Sequence, residues 1–261
     1  MAWTIDLNCD MGESFGAWTM GNDAAVLPYV TSANIACGFH AGDPGTMRQT
    51  VKAALEHGVA IGAHPGLPDL VGFGRRTMDI SPADVYDLVV VQVGALAAVA
   101  ATQGGRLHHV KAHGALYNMA ASRPDIANAI ACAVRDIDPE LVLFALANSA
   151  QVQAGLDAGL TVAQEVFADR SYQSNGLLTP RSQEGAMITD IDKATAQVLK
   201  MVKQASVTSL DGQTVSLTAD TLCLHGDQPD AARFARHIRD VLEGEGVTVA
   251  PVSAARGDAG E

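Results

Sequence analysis

The sequence predicts a single α/β domain in which about seven parallel strands close into a barrel. Strand-like and helix-like segments alternate along most of the chain, and no linker or change in composition interrupts them. Five strand-like runs also end in a polar cluster that contains a histidine or a carboxylate. Alternating β and α units indicate a parallel sheet with right-handed crossovers. An open sheet gathers its site at one switch point, whereas a barrel brings the ends of all its strands to one rim. Because the polar clusters are spread along the whole chain, they favour a barrel, distorted and with fewer than eight strands.

In the first half, each helix has a recognisable start. Asp43-Pro44 opens a helix because aspartate caps and proline fits the first turn, and Gly58 ends it. Ser81-Pro82-Ala83-Asp84 has capping-box spacing and opens a helix that ends near Thr102. A glycine-rich loop occupies residues 11–23. The strands predicted in this half are Ile5–Asn8, Tyr29–Cys37, Val59–Ala63 and His109–Lys111.

The second half repeats the alternation. A hairpin with a type I′ turn is predicted where β-prone residues flank Asp211-Gly212. We expect residues 1–253 to form the barrel domain and residues 254–261 to be a frayed tail. The predicted strands are Leu141–Ala145, Thr161–Val166 and Thr221–Leu224, and the predicted helices are Pro124–Arg135, Ser149–Ala158, Ile191–Ala205 and Pro229–Glu243.

Composition narrows the class of protein. Of the 261 residues, 48% are hydrophobic and 18% are charged, which provides a sizeable core. A net charge of −12 argues against nucleic acid or an anionic membrane as a partner. The amino terminus has no signal-peptide pattern, and Leu88–Ala101, interrupted by Gln92, is too short to cross a bilayer. We therefore expect a cytoplasmic protein whose four cysteines are reduced and are small buried core residues.

Polar residues at the predicted strand ends are candidates for chemistry. Asp10 and Glu13 follow the first strand, where a carboxylate can act as a general base or bind a metal. Lys111 and His113 alternate on one strand and so share a face; an inward lysine is costly unless it meets an anion. Four of the eight histidines are at strand ends, whereas His57, His108, His109 and His237 are interpreted as structural. The four at strand ends are His40, His64, His113 and His225.

Two loops carry arginines that suit a carboxylate or a phosphate. Arg75 lies in the glycine-rich loop after the third strand, and Arg170, Tyr172 and Arg181 lie in a long polar loop. Long loops in compact domains are usually functional, and the planar guanidinium binds such anions in a bidentate manner. Neighbouring Arg76 fits an exposed solubilising residue. Asp43, Asp69 and Asp227 fit either helix caps and turns or the site.

Several common motifs are absent. The sequence contains no GxxxxGK[ST], no GxGxxG after a strand, no HExxH and no GxSxG. If the protein uses ATP, it therefore does so without a P-loop.

The strand-end motifs resemble those of the LamB/YcsF family from about Ile5 to Pro251. The chain departs from the family pattern at Ala112, where proline is usual, and we interpret this change as local backbone tuning. The matching segments are Asp6–Glu13, Asn34–Asp43, Gly62–Gly66, Lys111–Asn118, Glu165–Arg170 and Leu224–Asp227.

The resemblance implies a fold and an activity that composition and spacing do not. It implies a seven-stranded barrel of the glycoside hydrolase and deacetylase type. It also implies the A subunit of a bacterial 5-oxoprolinase, which works with subunits B and C to open 5-oxo-L-proline to L-glutamate while ATP, with Mg²⁺, is hydrolysed.

In that reaction the strand-end residues receive expected roles. Lys111, with Arg170, would meet phosphate or oxyanion charge, Asp10 or His64 would be the base, and His113 would protonate the leaving nitrogen. Arg75 or Arg181 would hold the substrate carboxylate. The remaining expected contacts with substrate are Glu13, His40, Asp43, Tyr117, Tyr172, His225 and Asp227, and no residue is assigned to a metal.

Two alternatives stay open at this stage. A metal-dependent amidase or deacetylase acting alone would also place a carboxylate and several histidines at a barrel rim. A non-catalytic subunit that binds a lactam or a sugar would leave the chemistry to its partners.

Overall fold

Seven parallel strands form a closed barrel in the computed structural model, which describes residues 3–224 and 230–253. Each strand pairs with the next, and the last pairs back with the first, so the predicted barrel is confirmed. The barrel strands are β1 (Trp3–Met11), β2 (Ser32–Ala36), β3 (Ala60–His64), β4 (His109–Lys111), β5 (Val142–Leu146), β6 (Val162–Phe167) and β9 (Thr221–Leu224). Outside the barrel, β7 (Ser206–Thr208) pairs with β8 (Thr214–Ser216), and β10 (Val247–Val249) pairs in parallel with the start of β1.

Helices surround the barrel, and most of them connect one strand to the next. Their inner faces and the outer faces of the strands form one apolar core, in which Leu7, Cys9 and Met11 represent β1. All four cysteines are free, and three are buried. The helices are α1 (Asp23–Val26), α2 (Pro44–His57), α3 (Pro82–Ala101), α4 (Gly114–Ser122), α5 (Pro124–Ile137), α6 (Ala150–Asp157), α7 (Ile191–Gln204) and α8 (Ala231–Gly244).

The inside of the barrel is largely polar. Side chains alternate along β1, so that Asp6, Asn8 and Asp10 all point inward, opposite to the apolar set. Asn34 donates to both Asn8 and Asp10, and His109, which is fully buried, hydrogen-bonds Asn34. This bonding agrees with the structural interpretation of His109. Val142, Phe144 and Ala163 form a small separate apolar cluster, in which the Phe144 ring stacks on His109.

The structure corrects several predicted elements. β1 extends to Met11 and therefore contains Asp10. β2 begins at Ser32, because Pro28 lies in a 3₁₀ turn over Leu27–Tyr29. The prediction missed α4, which begins directly after His113, and it missed β10.

The hairpin is confirmed, but its predicted turn type is wrong. Gly212 has a positive φ of 84°, whereas Asp211 has none, and a type I′ turn requires both. The Gly212 amide donates to the Ser209 carbonyl, and the Ser209 amide donates to Gln213, so the loop is longer than two residues.

The length prediction for the apolar segment is also wrong. α3 has 20 residues and is long and apolar enough to cross a membrane. In this fold one face of α3 is buried, including Gln92, which bonds both the amide and the carbonyl of Gly66. α3 therefore belongs to the helical layer of the barrel.

Candidate active site

Four barrel strands bring charged or ionisable side chains together at their carboxyl ends. Asp10 of β1 lies between His64 of β3 and Lys111 of β4: its Oδ2 is 3.4 Å from His64 Nε2, and its Oδ1 is 3.0 Å from Lys111 Nζ. Glu165 of β6 is 2.7 Å from Lys111 Nζ. Parallel strands in a closed barrel place these groups at one rim even though 155 residues separate Asp10 from Glu165 in sequence.

The ammonium group of Lys111 is buried between two carboxylates. It bonds Asp10 and Glu165, and it also contacts Asn8 Oδ1 at 3.2 Å and Cys223 Sγ at 3.1 Å. Burial alone would lower the pKa of Lys111, but the charges of Asp10 and Glu165, with the neighbouring Cys223 sulfur, outweigh it and raise that pKa well above its usual range. Lys111 therefore stays charged and is fixed in position.

Glu165 belongs to this cluster, and sequence reasoning did not select it. Its side chain is fully buried and accepts hydrogen bonds from Asn8 at 3.0 Å and from the Tyr117 hydroxyl at 2.5 Å. Burial, together with the neighbouring carboxylate, raises the pKa of Tyr117 well above its usual range, so the hydroxyl keeps its proton. The signal that could have identified it is an acidic residue inside a predicted strand, between Gln164 and Val166.

Three imidazoles form a second cluster beside the first. His40 and His113 stack with their ring centroids 3.7 Å apart, and His64 meets His113 edge-on. His113 Nδ1 is 3.0 Å from His64 Nε2 and 3.8 Å from Glu13 Oε1. Burial, followed by the charge of His64, lowers the pKa of His113 to about 3, so His113 is neutral near pH 7.

Two glycines make room for these rings. A Cβ atom at Gly66 would lie 2.5 Å from His40 Nδ1, and one at Gly74 would lie 2.8 Å from both His40 and His113. Gly74 also has a φ of +62°, which side-chain-bearing residues rarely adopt. The glycines of these loops are therefore required by the packing of the histidines.

A cavity of about 670 Å³ opens above both clusters. Arg75, Arg170 and Arg181 line it, and the loop that carries the last two forms part of its wall. Arg170 Nη2 donates to the Thr179 carbonyl at 2.6 Å, and burial, followed by the charge of Arg181, lowers the pKa of Arg170. The floor of the cavity contains Asp10, His64, Lys111 and His113, with Tyr117 at its side.

Other predicted site residues lie elsewhere or outside the described residues. Asp43 caps α2 by accepting from the amides of Gly45 and Thr46, and it also accepts from Gly16. Tyr172 is fully buried, and its hydroxyl accepts from the Phe167 amide. Neither residue lines the cavity. Among further candidates, Asp69 pairs with Arg76, while His225 and Asp227 lie outside the described residues.

One set of side chains could hold a metal ion, although the sequence assigned none to that role. The ligand atoms of Glu13, His40, His64 and His113 all lie within 4.8 Å of one another. The set combines one carboxylate with three imidazoles and lies beside the Lys111 cluster.

Comparisons with known proteins agree over almost the whole chain. The sequence profile of the LamB/YcsF family matches residues 5–257. A Bordetella pertussis protein named as the A subunit of 5-oxoprolinase is 70% identical over 245 residues, which cover 94% of this chain and 97% of that protein. A Brevibacillus brevis protein of the same name is 58% identical and is covered to 97%.

Solved structures agree with these matches. The lactam utilization protein of Thermus thermophilus is 48% identical, with a TM-score of 0.91, over 95% of this chain and all of that chain. An Enterococcus faecalis protein named for cellobiose-phosphate cleavage is 15% identical, with a TM-score of 0.59, over 96% of this chain and 97% of that chain. This second likeness is one of fold alone.

Proposed function

Because the chain belongs to the LamB/YcsF family, as its motifs predict, we propose that it is the A subunit of an ATP-dependent 5-oxoprolinase. In this role it opens the lactam ring of 5-oxo-L-proline to give L-glutamate. The names of its relatives support the proposal, since the two quoted above are A subunits of 5-oxoprolinase and a third similar protein is a lactam utilization protein.

One observation carries the chemical part of the proposal: a fixed, charged lysine lies at the floor of a cavity whose walls carry three arginines. A lactam is a resonance-stabilised amide, and its activation by phosphoryl transfer brings the negative charge of the phosphoryl group to the carbonyl oxygen. Preorganised cationic groups stabilise such charge, and each is typically worth about 10²–10³ in turnover. Lys111, supported by Arg170, is proposed for this role.

ATP, together with Mg²⁺, is the proposed phosphoryl donor. Transfer of its γ-phosphoryl group to the lactam oxygen forms an O–P bond and releases ADP. Water then adds to the activated carbon, the ring C–N bond breaks, and the nitrogen takes the proton that the water gave up. A second water hydrolyses the resulting acyl phosphate to glutamate and phosphate. The group formed by Asp10, His64 and His113 is proposed to accept and return that proton.

We assign the substrate carboxylate and the phosphate to different arginines. Arg75 or Arg181 is proposed to bind the substrate carboxylate, for which a planar guanidinium is suited. Arg170 is proposed to bind the phosphate, because its Nε has no hydrogen-bond partner among the described residues and is available to an anion. Since the sequence has no P-loop, such side chains would replace the glycine-rich backbone cradle.

The relatives' names describe one component of an assembly, and we propose subunits B and C as the partners. We also propose that the complex works in the cytoplasm, where ATP is available and the free cysteines stay reduced.

The test is a coupled assay of ADP and glutamate release that depends on 5-oxoproline. The chain with subunits B and C should release both products, and the chain alone should show little turnover. Arg75→Ala in the complex should raise KM for 5-oxoproline, whereas exposed Arg106→Ala, the matched control, should not. ATP-independent lactam hydrolysis by the lone chain would overturn the proposal.

A second candidate is a metal-dependent amidase acting alone, and the set of Glu13 with three histidines favours it. This candidate predicts activity without ATP that is lost on chelation.

A non-catalytic binding subunit would instead tolerate Lys111→Met within the reconstituted complex.

A further inference from the structure

Two ring nitrogens face each other in the histidine cluster, His64 Nε2 and His113 Nδ1, and they are 3.0 Å apart. His64 Nδ1 is 2.7 Å from the Lys111 carbonyl, and His113 Nε2 is 2.8 Å from the Phe73 carbonyl. A carbonyl oxygen only accepts, so each of these nitrogens carries its ring's proton. In two neutral rings, His64 Nε2 and His113 Nδ1 therefore present lone pairs to each other across 3.0 Å.

Two facing lone pairs at this distance repel each other unless a positive species lies between or beside them. The species is either a proton, which makes one ring an imidazolium, or a metal cation. The two possibilities differ in the other groups that they need. A proton needs only the two rings and the Asp10 carboxylate, whose Oδ2 is 3.4 Å from His64 Nε2, whereas a cation needs further donors around the same point.

Further donors are present. Glu13 Oε1 is 3.8 Å from His113 Nδ1. His40 is fully buried, and neither of its ring nitrogens hydrogen-bonds any described residue. A buried polar group without a partner is unfavourable, because it has given up its hydrogen bonds to water and gained none in return. A nitrogen of His40 lies within 4.8 Å of the other three donor atoms, so a cation would give it the partner it lacks.

We propose that Glu13, His64 and His113, with His40 as the fourth donor, bind one divalent transition-metal cation of the zinc or cobalt class. Zinc–nitrogen bonds of about 2.0–2.1 Å in a tetrahedron place ligand atoms roughly 3.3 Å apart. The separations of 3.0 and 3.8 Å at His113 Nδ1 bracket that value. Imidazole donors select such metals, whereas magnesium and calcium prefer oxygen ligands.

The surroundings of the cluster resemble those of other built metal sites. Histidine ligands usually donate their second ring N–H to a carbonyl or carboxylate, which fixes the tautomer and the ring orientation. Lys111 and Phe73 supply these carbonyls, and Gly66 and Gly74 leave the space that the rings occupy. A dication bound here would also acidify a coordinated water at the cavity floor.

Metal binding goes beyond the proposed function and does not depend on it. The first experiment therefore measures binding and not turnover. The purified chain is stripped with a chelator, loaded with Zn²⁺ or Co²⁺, desalted and analysed for metal content. We expect about one equivalent per chain, and for Co²⁺ a visible spectrum of a tetrahedral nitrogen and oxygen site.

Matched variants locate the metal. Glu13→Gln and His113→Gln should each weaken the binding of Zn²⁺ by at least tenfold, whereas His57→Gln, which alters an exposed histidine on α2, should bind as the wild type does. Because Cys132 is partly exposed and could bind metal adventitiously, equal metal content in the wild type and Glu13→Gln would overturn the proposal.

A measurement on the unmodified chain guards against variants that fail to fold. Nitrogen-15 NMR of the imidazole rings separates a lone-pair nitrogen, an imidazolium and a metal-bound nitrogen. Zn²⁺ should shift His64 Nε2 and His113 Nδ1 and leave His57 unchanged. An imidazolium that persists with excess Zn²⁺ would show that a proton occupies the position and would overturn the proposal. Neither result depends on ATP or subunits B and C, so failure here is distinct from failure of the oxoprolinase assay.

Discussion

Asp6 and Asp10 lie on the same inward face of β1, four residues apart, yet their surroundings differ. Asp6 is 1% exposed and accepts hydrogen bonds from the hydroxyl groups of Thr31, Ser32 and Thr221. Asp10 is bordered by an ammonium group and an imidazole and opens to the cavity. β1 thus carries carboxylates at two levels of the barrel. At the lower level, Asp6 has neutral hydrogen-bond partners. At the upper level, Asp10 has charged partners.

The difference in partners reverses the direction of the two pKa shifts. Burial raises the pKa of Asp6, and the three hydroxyls only partly oppose it. Burial would also raise the pKa of Asp10, but the charges of His64 and Lys111 outweigh it and hold that pKa well below its usual range. Neutral donors can therefore satisfy a buried acid structurally, whereas a fixed charge keeps it ionised for chemistry.

The largest expected effect comes from removing the charge that distinguishes the upper level. Lys111→Met leaves fully buried Glu165 and partly exposed Asp10 without their cation, and breaking a buried ion pair such as Lys111–Glu165 costs about 3–5 kcal/mol. Turnover of the reconstituted complex should fall by about 10²–10³ as well. Chemical denaturation at pH 7 and the coupled assay measure the two losses.

Two further variants isolate the cause. Lys111→Met combined with Glu165→Gln should recover part of the lost unfolding free energy without restoring turnover, because one uncompensated carboxylate is gone. Exposed Lys52→Met is the matched control and should change neither quantity. Wild-type stability and turnover in Lys111→Met would show that the lysine merely fills space.

The next effect tests whether the upper level acts as one unit. Asp10→Asn and His113→Ala should each reduce kcat strongly, and the double variant should lose little more than the worse single one, because residues of one catalytic unit give non-additive losses. Their connection through His64 is the structural reason. Fully additive losses in ADP release would show that Asp10 and His113 act separately.

Much of this site could be predicted from strand ends alone. Histidines and carboxylates that follow parallel strands must meet at a barrel rim, and the structure does bring Asp10, His40, His64 and His113 together. This step needs only chain direction and alternation, both of which are visible in the sequence.

The remaining features depend on partners that are distant in sequence. Glu165 lies inside β6, and its role appears only when the closed barrel brings its side chain within 2.7 Å of Lys111 on β4. The carbonyl of Phe73 fixes the tautomer of His113 from a loop in which the sequence draws attention to the glycines and to Arg75, not to Phe73. Tyr172 shows the reverse case, since a polar loop suggested a binding residue and the fold buries it completely.

A smaller effect should come from the lower level. Burial raises the pKa of Asp6, so the folded state holds the proton of this carboxyl group more tightly than the unfolded state does. The stability that the protonated group contributes is complete below the unfolded pKa of 3.8 and is lost as pH rises through the folded pKa. Asp6→Asn removes this titrating group at the cost of hydrogen bonds worth about 1 kcal/mol each. Relative to the wild type, the variant should become more stable as pH rises from 4 to 7, with little change in turnover. Urea denaturation across that range measures the trend, and a difference independent of pH would contradict it.

The smallest effect concerns Asp43, whose carboxylate caps α2 outside the cavity. Hydrogen bonds from the amides of Gly16 and Thr46 and from the Thr46 hydroxyl lower its pKa to about 2, so the cap is complete above the unfolded pKa of 3.8 and is lost as pH falls through about 2. Asp43→Ala should lower Tm by about 2–4 °C at pH 7, and KM for 5-oxoproline should not change. Asp43→Asn, which keeps a capping oxygen, should restore most of the loss in Tm. A rise in KM with no change in Tm would instead place Asp43 among the groups that bind substrate, and it would extend the charged upper level of the barrel as far as the start of α2.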